Sequence, residues 1–229
     1  MTSLVRRHAT TLPRVLLQTP WPMVLLAVMS AGLVALLSIA RPSSAVPLFV
    51  VHLAAVALAS GAAYLLDDAA IAVTAATPQR LWRRRAPTLF AGLAVVGAAW
   101  TVIVVLLNQQ SPTPSTSALT IEVAALVSVA VAAAAVAARR GEPEPGNLVA
   151  PAIVLLGVGA LIAQPALNIT LFMSGPGDPH RRVWWVGIAV AATIVLLIAS
   201  RDPATRPSRR PADPRGLSKR PSDRRDPLG

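Results

Sequence analysis

Apolar runs of about 18 to 25 residues recur along the chain, each long enough to cross a bilayer and each closed off by a short polar or charged block. In order they fall at about residues 23–40, 47–66, 88–107, 118–138, 148–172 and 183–200. Backbone groups in hydrocarbon must be satisfied within their own segment, so each run predicts a helix. The fold class that follows is all-α: a polytopic membrane protein with six transmembrane helices over residues 21–200. Ser38-Ile39-Ala40 imitates a signal-peptide cleavage site, but the first run is longer than an ordinary signal core and five more follow it. It is read as the first span.

The flanking segments differ in kind. Residues 1–20 carry Arg6, Arg7 and Arg14 among leucines and valines, broken by Pro13 and Pro20. They read either as a frayed basic terminus or as a short helix lying on the headgroups. Residues 201–229 are Pro, Arg, Asp and Ser without apolar periodicity, the composition of a disordered tail. Between the spans, Pro47 suits a helix start, 108–117 is an uncharged loop, and 141–147 is a tight polar turn. The fourth run is dominated by Ala and Val, small enough for close helix contacts. In the fifth, Gln164-Pro165 and Asn168 predict a kink whose freed backbone groups the two amides satisfy. Trp184 and Trp185 stand where an aromatic belt belongs.

Charge then orients the spans. Of 21 Lys and Arg residues, the expected cytoplasmic segments hold all but Arg41, Arg181 and Arg182. That asymmetry places both termini in the cytoplasm. The net charge of +11 finds its counter-charge in anionic lipid rather than nucleic acid, because the aromatic–basic interleaving used on single strands is missing. With no cysteine, disulfides and thiolate metal sites are excluded.

No phosphate-binding Gly-x-x-x-x-Gly-Lys motif is present and the single lysine is Lys219, so the chain is not itself a P-loop ATPase. His8, His52 and His180 are too dispersed for a metal site, and no catalytic triad or carboxylate pair stands out; an enzyme is not expected. Polar residues inside spans are the candidates that remain, since burying them in hydrocarbon is costly. His52 and Glu122 read either as interfacial or packing residues or as contacts in one outward-opening cavity. Gln164 and Asn168 read first as kink satisfaction and second as part of that translocation path.

One polar stretch stands apart, from Asp67 to Arg85. Asp67 and Asp68 can cap a short helix over 69–77 that Pro78 ends. Arg80, Trp82, Arg83, Arg84 and Arg85 then anchor the third span at the headgroups, with Pro87 near its start. The arginine half needs no partner. The acid-capped half, with Thr74, Thr77 and Pro78, suits a short helix that docks on another protein.

Leu66-Asp67-Asp68-Ala69-Ala70, Thr74-Ala-Ala-Thr77-Pro78, Leu119-Thr-Ile-Glu122-Val, Arg139-Arg140-Gly141 and Ser200-Arg201-Asp202-Pro203-Ala204 resemble small actinobacterial membrane proteins of the ABC-type transporter permease kind. The resemblance covers residues 20–204. It implies a six-helix permease subunit of a bacterial cytoplasmic membrane, paired with a separate ATPase that binds the ATP, and assembled as a homodimer or with a second permease. It also implies that the loop after the second span, residues 67–85, carries the coupling helix. Two other readings stay open: a membrane scaffold or accessory protein of a transport complex, and a secondary transporter with Glu122 as its proton site.

Overall fold

The computed structural model describes residues 21–40, 48–67, 81–108, 115–167, 172 and 179–200. The described residues form six helices: α1 (Trp21–Ile39), α2 (Leu48–Ala63), α3 (Leu81–Asn108), α4 (Thr116–Arg139), α5 (Pro145–Leu167) and α6 (Pro179–Ala199). A 3-10 turn, Tyr64–Leu66, extends α2. No strand occurs among the described residues. Among the described residues, five stretches are long and apolar enough to cross a membrane: Leu48–Leu66, Ala86–Asn108, Thr116–Arg139, Pro145–Gln164 and Pro179–Ala199. The chain is an all-α, multi-pass membrane protein. α1 carries the apolar stretch Val24–Leu37.

The bundle is built around α2. Its spanning window is 61% buried, against 44% for α4 and only 11% for α6. Central position follows from residue size: Ala54, Ala55, Ala59, Ala62 and Ala63 are all buried, so neighbouring backbones approach closely. A methyl group placed on Gly61 would run into Ala27 Cβ on α1, and one on Gly157 of α5 would stand 2.6 Å from Val56 Cγ2. α1, α4 and α5 surround α2, and α6 packs on α4. The fourth run, read from its Ala/Val content as suited to close helix contacts, packs on α2, α5 and α6.

Side chains on the outside are large and apolar, among them Met29, Leu155, Leu156, Val183 and Trp184, each 69% exposed or more. A water-facing surface of that kind would be an aggregation liability, whereas acyl chains solvate it without penalty. A hydrogen bond from Trp100 Nε1 to Thr120 Oγ1 (3.1 Å) ties α3 to α4 and satisfies a nearly buried indole.

Helix boundaries depart from the sequence reading in informative places. α3 starts at Leu81 rather than near residue 88 and runs through Pro87. Proline there removes one hydrogen bond, to the Arg83 carbonyl, but that carbonyl lies in the arginine-rich end of the helix, where solvent and headgroups can satisfy it. α5 begins at Pro145, three residues early, and α6 at Pro179, four residues early. Both use proline in the first helical turn, where its missing N–H costs nothing. α4 ends as the Arg-Arg-Gly sequence requires: Gly141 takes a positive φ of 97°, Glu142 N–H bonds the Ala137 carbonyl and Gly141 N–H bonds that of Ala138.

Candidate functional site

Two polar clusters form at opposite ends of the bundle. The first lies where α2 and α4 begin. His52 is the fifth residue of α2 and Glu122 the seventh of α4, which places both about two turns or less inside the apolar layer. Their side chains meet: His52 Nε2 stands 3.3 Å from Glu122 Oε1. The residues are 4% and 1% exposed, and they are the buried polar or charged residues of the described core. The contact is one of ion-pair distance rather than an aligned hydrogen bond. Both side chains are buried.

Phe172 packs on the His52 ring of this pair. Its ring centroid lies 4.9 Å from that of His52, tilted by 45°, and 6.1 Å from the ring of Trp185, nearly stacked on it. The backbone of Phe172 is held from both neighbouring helices. Its N–H donates to Gln164 Oε1 near the end of α5 (2.9 Å), and its carbonyl accepts from the Arg181 guanidinium at the start of α6 (3.3 Å). Trp185 is 8% exposed, and its Nε1–H has no hydrogen-bond partner among the described residues. The cluster therefore combines two buried titratable groups, an aromatic residue packed on one of them and held by polar contacts, and a buried donor in need of an acceptor.

The second cluster lies at the other end, where the 3-10 turn after α2 meets α5. Asp67 Oδ1 accepts a hydrogen bond from Gly146 N–H at 2.7 Å. Gly146 is in the first turn of α5, whose N–H groups have no partner inside the helix, and a carboxylate complements both those donors and the helix dipole. A side chain at position 146 could not coexist with this contact: a methyl group there would lie 2.6 Å from Asp67 Oδ2 and 2.9 Å from the Tyr64 backbone. At the same end Arg139 donates to the Ile198 carbonyl in the last turn of α6 (2.7 Å), a cation on the negative pole of a helix.

Of the residues singled out in the sequence, His52 and Glu122 come together, and Gln164 joins them through Phe172. Gln164 Oε1 serves the Phe172 N–H eight residues onward, beyond the helix end. Asp67 reaches across the fold to α5. Trp82, Arg83, Arg84 and Arg85 fall in the first turns of α3. Asp68, Thr74, Thr77, Pro78, Arg80 and Asn168 lie outside the described residues, as does the expected helix over 69–77. Sequence reasoning missed Phe172, Arg181 and Gly146. Phe172 looked like the end of an apolar run, and nothing local in a sequence marks which apolar residue will sit over a buried pair.

Comparison with known proteins adds no relative: no family model, no curated protein and no solved structure matches the chain.

Proposed function

We propose that the chain is the six-span transmembrane subunit of an ABC-type transporter in a bacterial cytoplasmic membrane, with both termini in the cytoplasm. A separate ATPase binds the ATP and docks on the loop of residues 67–85, and the subunit works as a homodimer or beside a second permease, its arginines on anionic lipid. The observation that supports this reading is the Asp67–Gly146 hydrogen bond. A coupling loop must be attached to more than the two spans it connects, or its displacement is lost in the loop itself. Here the first residue of the loop is tied to the start of α5, beside the tight turn that ends α4, so a movement of the loop acts on α2, α3 and α5 together.

The direct test is co-purification of the tagged full chain from its own membranes. A P-loop ATPase in the complex is expected, with Ala72→Trp or Ala75→Trp weakening that association while membrane insertion is unchanged. Charge reversal at Arg83, Arg84 and Arg85 should instead weaken membrane anchoring. The reading fails if no ATPase accompanies the protein and deletion of the chain leaves membrane ATP turnover unaltered; a stable complex lacking an ATPase would then favour the scaffold role.

A further inference from the structure

We propose that His52 and Glu122 form a proton-exchange site inside the bundle, closed toward the Phe172 end by the Phe172 ring. The inference is independent of the coupling loop and goes beyond the permease reading.

A histidine and a glutamate facing each other at 3.3 Å can hold one proton between them in two ways: imidazolium with carboxylate, or imidazole with carboxylic acid. Both states carry no net charge, so the pair is tolerated in an apolar interior where a lone charge is not. Two permanently paired groups such as Arg and Asp would serve as well for packing. His and Glu differ from these in that each can give up or accept a proton under ordinary conditions. When a hydronium ion delivers a second proton, one O–H bond of hydronium breaks, one N–H or O–H bond forms on the pair, and water leaves. The product is imidazolium beside carboxylic acid, with one net positive charge.

Among the described residues, α1 and α5 contain no titratable side chain, and those of α3 are Arg83, Arg84 and Arg85, at the opposite end of the bundle with Arg139 of α4. On α6, at the same end as the pair, Arg181 reaches the Phe172 carbonyl, with His180 before it and Arg182 after it.

Phe172 closes the His52 side of the pair. It sits between α5 and α6, 3% exposed, and it is fastened through its backbone, by Gln164 on one side and Arg181 on the other. Separation of the ends of α5 and α6 pulls those two bonds apart and lifts the ring from His52. Water entering behind it meets the buried Trp185 Nε1–H, a donor that already lacks an acceptor. A proton then has a path from the Phe172 end to the pair.

The test is infrared difference spectroscopy of the purified full chain in lipid vesicles, between about pH 5 and pH 8. A carboxylic-acid C=O band or an imidazolium ring band should grow on acidification, the first vanishing in Glu122→Gln and shifting in His52→Gln, the second vanishing in His52→Gln. In deuterated water whichever band titrates should exchange roughly tenfold faster or more in Phe172→Ala, and to a smaller extent in the better-packing Phe172→Leu, because opening no longer has to lift an aromatic ring. A wild-type spectrum in which neither a carboxylic-acid band nor an imidazolium band titrates, or a carboxylic-acid band that persists in Glu122→Gln, overturns the site. An unchanged band in His52→Gln overturns the pair, and equal exchange rates in the wild type and both Phe172 variants overturn the closure.

Discussion

Asp67 and Glu122 are both acids drawn into the helix bundle, yet the two ends of the molecule treat them differently. Asp67 faces a backbone N–H at the start of α5, a partner that cannot titrate and whose position is set by the helix. Glu122 faces an imidazole, on which Phe172 packs with its backbone bonded to Gln164 and Arg181. The first arrangement is a clamp that stays made whenever the fold is intact. The second stores a proton whose location can change. A carboxylate in a membrane protein is thus defined by what it meets: a helix terminus makes it structural, and a second titratable side chain makes it exchangeable.

Substitutions at the two ends should separate these roles. The largest effect is expected from Glu122→Ala, which leaves His52 buried without its carboxylate and should cost about 3–5 kcal/mol, the range for breaking a buried pair from one side. Unfolding in mixed lipid–detergent micelles measures it. The double variant His52→Leu with Glu122→Met should recover most of that loss, and a double variant as unstable as the single one would mean that packing, not the pair, dominates.

Next comes Gly146→Val at the clamp. Its side chain would collide with the Tyr64 backbone, so α5 must shift, at a cost of about 1–3 kcal/mol. Failure to destabilise would show that α5 is not held where it stands. Asp67→Ala should be milder, about 1 kcal/mol for a lost helix cap, and Asp67→Asn milder again because the amide oxygen still accepts. Neither should alter the infrared band of Glu122; a change there would mean the two ends are coupled. The smallest effect belongs to Arg139→Gln, a few tenths to about 1 kcal/mol, since its contact with the Ile198 carbonyl is solvent-exposed and screened by salt. Raising the salt concentration should erase the difference between that variant and the wild type.

Much of the fold is legible in the order of the residues. Runs of apolar residues predict where helices lie because hydrocarbon permits no other open backbone, and five of the predicted spans reappear as helices long enough to cross a membrane. Helix ends were harder. Pro87, Pro145 and Pro179 each sit inside a helix end where a hydropathy reading would cut, since proline is harmless in a first turn and tolerated near a polar end. The candidate site was half visible: His52, Glu122, Gln164 and Asp67 attract attention as polar residues in or beside apolar runs. A linear reading assigns Asp67 a local cap on residues 69–77, which lie outside the described residues; it does not show that Asp67 also meets the N-terminus of α5, 79 residues away.

Sequence alone determined the class of molecule, the helical nature of each apolar run and the candidate polar residues, because each follows from composition within one segment. Tertiary structure alone decided that α2 is the central helix, that His52 and Glu122 share one contact, that Phe172 packs on His52 and that Asp67 holds α5. Those facts depend on which helix faces which, and helix association in lipid is set by close packing of small residues and by a few polar contacts across segments. Gly61 against Ala27, Gly157 against Val56 and Gly146 against Tyr64 fix that arrangement, and no single segment contains both members of any of these pairs.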